Sequence, residues 1–144
     1  DSEVFVHILH YITTQLGLDI ETYKHVITPL QDDHLEDHPD GMFLKHMKKT
    51  CRKLIIDGPN CVIGVLPDNT MFMTQDRKKL RPGVVGGYPG MYVFSSEICG
   101  LDAVLPERDR QADFQPMHLD TVVVSPDHQE VKICNQMKKL SRLH

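Results

Sequence analysis

The chain has 144 residues, of which 40% are hydrophobic and 25% charged, and a net charge of −4 at neutral pH, the proportions of one ordinary soluble globular domain. A net-acidic chain of pI about 6.1 excludes nucleic acid or an anionic membrane as the expected partner, and no apolar run approaches the roughly 20 residues that cross a bilayer. The four cysteines, Cys51, Cys61, Cys99 and Cys134, show neither CxxC nor metal-ligand spacing, so they predict four buried thiols in a reducing cytoplasm rather than a disulfide framework.

The opening Asp1-Ser2-Glu3 runs straight into a helical pattern without a signal peptide, which predicts a chain that begins mid-domain. From Val4 to Leu16 apolar residues recur at spacings of three and four, an amphipathic helix capped by Asp1 or Ser2 and stopped by Gly17. A second, weaker helix is predicted over Ile20–Ile27 and ends before Pro29. Gln31 to Gly41 is acidic, contains Pro39 and reads as a solvated loop. Met42 to Ile56 is a third helix, with Phe43, Met47, Cys51, Leu54 and Ile55 on its apolar face and Lys45, Lys48, Lys49, Arg52 and Lys53 opposite.

After Asp57-Gly58-Pro59 the period becomes strand-like. Asn60–Leu66 and Thr70–Gln75 flank the turn signal Pro67-Asp68-Asn69 and form a hairpin. Val84–Gly87 and Met91–Ser95 pair around Tyr88-Pro89-Gly90. A helical turn over Ser96–Leu105 and a short extended piece at Ala112–Phe114 come next. Thr121–Ser125 and Glu130–Ile133 then pair around Pro126-Asp127-His128. The basic tail, Asn135 to His144, is helical or frayed. Helices followed by hairpins predict an α+β fold rather than a doubly wound parallel sheet.

Several residues invite chemistry. His34 and His38 lie four apart among carboxylates and could hold a divalent cation, yet Pro39 breaks any helix that would align them, so a solvated acidic loop is the preferred reading. His7 and His10 read as ordinary surface or boundary residues of the first helix. Cys99 would need a distant base such as His118 or His128 to act as a nucleophile; a packed core cysteine is preferred, and Cys51 is core by its helical position. Asp76, Arg77 and Arg81 form a charged group at a strand end, read as an ion-pair network that fixes the strand-to-loop geometry. The cationic face of the third helix is a solvated face or a dock for an acidic partner.

Three stretches recur in one order: Asp1-Ser2-Glu3-Val4 at a helix start, Asp76-Arg77-Lys78-Lys79-Leu80-Arg81-Pro82 after a strand, and Ser95-Ser96-Glu97-Ile98-Cys99-Gly100-Leu101-Asp102 after the next. Together they resemble the second half of the glutaminase domain of class II glutamine amidotransferases, which are N-terminal nucleophile hydrolases. The likeness is greatest to the domain of glutamate synthase, covers Asp1 to roughly Val124, and departs at Gly83, where the family often has a larger apolar residue. The resemblance implies that residues 1–144 are a single domain, the C-terminal part of a larger four-layer αββα sandwich. It implies glutamine as substrate, hydrolysed to glutamate and ammonia for a synthase domain or subunit, with no cofactor and no metal.

In that family the aspartate of the first motif pairs with the α-ammonium of free glutamine, a charge-assisted contact, and the role maps onto Asp1. The nucleophilic cysteine, the carboxylate-binding arginine and the Asn-Gly oxyanion hole precede that motif, so no residue of this chain is assigned catalysis and a missing N-terminal half or companion chain is expected. Two other readings stay open: a degenerate amidotransferase-like structural or regulatory subunit, and an α+β interaction module with chance motif matches.

Overall fold

The computed structural model describes residues 2–28 and 32–135, which fall into two compact units, one drawn from residues 1–57 and the other Gly58–Asn135. The secondary structure is mixed, helices first and antiparallel strands after, the α+β order expected from the pattern.

In the first unit, α1 (Ser2–His10) continues into a π-helical turn over Tyr11–Gln15, closed by the Leu16 amide donating to the Tyr11 carbonyl at 2.9 Å. Ile8 and Ile12, four apart, are its buried residues, and Gly17 at φ 66° ends the run. Helix α2 (Ile20–Ile27) starts at the Asp19 carboxylate, which accepts from the amide and the hydroxyl of Thr22, both at 2.9 Å. The side-chain oxygen satisfies one of the orphan donors of the first turn. Although α2 has the weaker pattern, it supplies Ile20, Tyr23, Val26 and Ile27 to the core, and burial pushes the Tyr23 phenol far above its ordinary pKa.

Two readings of this unit change. The acidic loop contains a 3-10 turn, Asp32–Leu35, whose Leu35 is completely buried. The third helix, α3 (Gly41–Thr50), is shorter than expected and turned about its axis: Gly41, Leu44, Lys48 and Cys51 face inward, while Phe43 is 44% and Ile55 38% exposed. The cause is a close approach. A Cβ on Gly41 would stand 3.2 Å from the Leu35 carbonyl carbon and closer still to its oxygen, so the helix meets the 3-10 turn at its glycine and the face centred there is the buried one.

The second unit holds β1 (Cys61–Val65), β2 (Met71–Gln75), β3 (Val84–Tyr88), β4 (Met91–Ser95), α4 (Ile98–Val104), β5 (Asp120–Val124) and β6 (Val131–Asn135). A four-stranded antiparallel sheet runs β1-β2-β5-β6, and β3 and β4 form a separate antiparallel pair. The Ala112–Phe114 piece reduces to one bridge, Phe114 to Val85. Side chains alternate along a strand, so the register puts Met73 and Val122 on one face of the larger sheet. There they form a core with Val85 of β3, against which Phe94 and Phe114 pack. Two sheets thus lie face to face. Central β2 is buried on both sides: Phe72 and Thr74, on its other face, are 1% and 0% exposed.

Candidate functional site

The three hairpin turns of the second unit gather at one end. The Gly90 amide donates to the His128 carbonyl at 2.7 Å, and the His128 ring Nε2 lies 3.2 Å from the Asn69 carbonyl. Asn69 and His128 adopt positive φ, 71° and 59°, which tight turns demand and these polar residues tolerate.

Both motifs emerge at the opposite end. Asp76 directly follows β2, Ser95 closes β4, and the register pairs Ser95 with Val84, immediately after the Asp76–Gly83 loop. Asp76 is 4% exposed. One carboxylate oxygen accepts from the Asn60 amide at 3.0 Å and the other from the Leu80 amide at 3.2 Å. Its own amide donates to the Asn60 carbonyl, and its carbonyl accepts from the Leu119 amide. The side chain therefore fastens the entry to β1 and the loop, and the backbone of the same residue ties in the approach to β5. The ion-pair reading is corrected in its partners: the geometry is fixed as expected, but Asp76 engages backbone amides, while Arg77 and Arg81 are exposed. A carboxylate can accept several N–H bonds at once, and a loop amide is a nearer donor than a flexible guanidinium.

Beside Asp76, Gln75 is fully buried, and neither its carboxamide oxygen nor its nitrogen has a hydrogen-bond partner among the described residues. Such an amide presents a donor and an acceptor together, the complement of a peptide or a second carboxamide. Gly83 packs on it: a Cβ there would lie 2.8 Å from Gln75 Nε2 and 2.9 Å from both Cys61 Sγ and Met73 Sδ. The departure from the family at this position has a local cause, since the larger residue's space is filled from β1 and β2.

In the second motif the Ser95 hydroxyl accepts from the Glu97 amide at 3.2 Å and the Cys99 thiol donates to the Glu97 carboxylate at 3.3 Å. Cys99 is exposed, which corrects its assignment to the core. The hydrogen bond to Glu97 holds its thiol above the usual pKa, and the carboxylate's charge adds to this. A nucleophilic cysteine needs the opposite. The His128 ring is engaged elsewhere, with the Asn69 carbonyl. Of the other thiols only Cys51 is buried; Cys61 and Cys134 are half-buried, so four buried thiols is corrected to one.

The connection after α4 is clamped by a residue that sequence patterning did not single out. Arg108, with a fully buried side chain, donates from Nε and Nη2 to Asp113 at 2.9 and 2.7 Å and from Nη1 to the Leu105 carbonyl at 3.0 Å, and pairs with Asp102 at 2.9 Å. Asp113 is the main cause holding the guanidinium above its ordinary pKa. Arg110, two-thirds exposed, shares Asp102 at 3.3 Å.

Asp1 lies outside the described residues, as do Pro29 to Gln31, the side chain of His34 and the tail after Asn135. His38 turns toward its own unit: its Nδ1 accepts from the Asp40 amide, and its ring meets the His25 ring edge-on at 5.3 Å. Among the described residues no group of three or more His, Cys, Asp or Glu side chains could share a metal ion, and no helix is long and apolar enough to cross a membrane. His7 pairs with Glu3 at 3.6 Å on the exposed side of α1, the surface role expected for it.

No protein-family model matches the chain, and no solved structure matches it. It is similar to an uncharacterized protein of Archaeoglobus fulgidus, 27% identical over 142 residues, which is 97% of this chain and 37% of that protein. The chain therefore spans little more than a third of that relative's length.

Proposed function

We propose that the chain is the C-terminal part of a class II glutamine amidotransferase domain, one whorl of an αββα sandwich that hydrolyses glutamine and passes ammonia to a glutamate-synthase-like partner in the cytoplasm. The supporting observation is positional: the Asp76–Pro82 and Ser95–Asp102 motifs, distant in sequence, leave the sheets of the second unit at the same end. Two antiparallel sheets facing each other across Met73, Val85 and Val122 are the inner layers such a sandwich requires. Strand β4 has no charged side chain and no proline, and its outer edge carries no partner strand among the described residues. An unguarded edge suits a sheet continued by other strands.

In this reading the Asp1 carboxylate holds the substrate α-ammonium. A cysteine supplied from residues preceding the first motif attacks the side-chain carbonyl carbon. The carbon–nitrogen bond breaks, ammonia leaves with the proton it needs, and water cleaves the thioester to give glutamate and regenerate the thiol. The test is glutamate release from glutamine by the longest polypeptide that contains these residues, with and without thiol alkylation. Asp1→Asn is expected to raise KM roughly a hundredfold by removing a charge-assisted contact. An unchanged KM sinks the role of Asp1, and no glutamate from any form sinks the enzyme. In that second event a non-catalytic amidotransferase-like subunit is the better account.

A further inference from the structure

We propose that the outer side of α3 docks an acidic protein surface that also offers an apolar socket. From Gly41 to Ile56 the sequence has five cations and no carboxylate, within a chain whose net charge is −4. Gly41, Leu44 and Lys48 turn inward, so Lys49 stays exposed and Lys45 partly so, and Arg52 and Lys53 are exposed on the 3-10 turn Arg52–Leu54 that follows α3. None of these four has a hydrogen bond or ion pair among the described residues. Like charges one helical turn apart repel each other, and an anionic partner turns that repulsion into attraction and steers the encounter.

Next to the cations stand two large apolar side chains, Met42 at 91% and Phe43 at 44% exposure. Methionine, aromatic residues and arginine are the types enriched at protein interfaces, and lysine charges suit the rim. The thioether also adapts to an irregular socket. A lipid headgroup layer would attract the same charges, but helices that lie in a membrane interface bury a continuous apolar face. Here the exposed apolar pair stands on the first turn and the exposed Ile55 lies beyond the cations, so no continuous apolar face forms. The mixture of a short apolar tip and a cationic flank favours a protein partner. This surface stands apart from the glutaminase reading and does not depend on it.

The full chain is titrated, by fluorescence anisotropy, with a labelled helical peptide carrying leucine on one face and glutamate on the others, at low and at physiological salt. Saturable binding is expected, weakened roughly tenfold or more by combining Lys45→Glu, Lys49→Glu and Arg52→Glu. Met42→Ser with Phe43→Ser is expected to weaken it severalfold at unchanged salt dependence, and an all-glutamate peptide should bind less tightly. All these positions are at the surface, so circular dichroism should show both variants folded. Three results overturn the proposal: no saturable binding; equal binding of the all-glutamate peptide with no effect at Met42 and Phe43, which is ion exchange; or tighter binding to phosphatidylserine–phosphatidylcholine vesicles than to the peptide.

Discussion

Between Gly58 and Asn135 single polar side chains each fasten several stretches of backbone: Asp76 joins Asn60 and Leu80, and Arg108 joins Leu105, Asp102 and Asp113. In residues 2–57 apolar faces build the core, from Ile8 and Ile12 through Tyr23 and Val26 to Leu44, with Lys24 and Lys48 buried beside them. The difference follows from geometry. Short strands joined by loops leave many backbone groups to be satisfied locally, whereas a helix satisfies its own except at the ends. A charged hub is economical in the first setting.

The largest expected effect breaks the polar side of this contrast. Arg108→Met removes a buried guanidinium, leaving Asp113 without its cation and Asp102 with Arg110 alone, so the folded-to-unfolded ratio should fall roughly a hundredfold or more. Urea unfolding measures it. Adding Asp113→Leu should recover a substantial part, because the stranded charge is the main penalty. If Arg108→Met leaves the urea midpoint unchanged, the clamp is decorative and the contrast fails.

The helical side is tested next by two neighbours that sequence patterning ranks in the wrong order. Leu44→Ala should cost about 2–5 kcal/mol, as for a fully buried leucine, and Phe43→Ala under about 1 kcal/mol. Equal losses at the two positions would restore the expected apolar face and contradict the rotated helix.

A smaller effect sharpens the reading of Cys99. Glu97→Gln removes the carboxylate that accepts the thiol proton and repels the thiolate, so alkylation of Cys99 by iodoacetamide at mildly alkaline pH should speed up. A slower reaction would mean that Glu97 activates the thiol and would reopen a nucleophilic role.

The parts of the fold legible in the sequence are those with local causes. Pro67-Asp68-Asn69, Pro89-Gly90 and Pro126-Asp127-His128 mark turns because their backbone demands are met within four residues, and all three hairpins formed where these signals lie. What was illegible has tertiary causes. That β3 and β4 leave the larger sheet and pack on its face depends on Met73, Val85 and Val122 meeting. Lys48 is buried and Phe43 exposed because the Gly41–Leu35 approach outweighs the hydrophobic pattern of α3. No pattern singled out Arg108, and only Asp113 and Asp102 in space reveal it as a clamp. At the candidate site, the strand-end position and geometric role of Asp76 were legible, its amide partners were not, and Gln75 carried no signal at all.

The smallest effect concerns the end of the β unit where the turns meet. The Asp127 carboxylate accepts from the Ser125 hydroxyl at 2.5 Å and from the Gln129 amide at 3.1 Å, and these bonds, the hydroxyl's first, hold its pKa below the ordinary value. A carboxyl whose folded-state pKa lies below its unfolded value stabilises the fold above the unfolded value and gives that up as pH falls through the folded one. The unfolded value is about 3.9, so the loss begins near there and completes at lower pH. Asp127→Asn should flatten the acid limb of the stability curve in that window and cost the same small amount at neutral pH, small because the residue is exposed and solvent screens it. A carboxyl chemical-shift titration should place Asp127 below the ordinary aspartate range. A titration at or above it would show that the turn is held by its backbone alone, and polar fastening in the β unit would then be confined to its buried hubs.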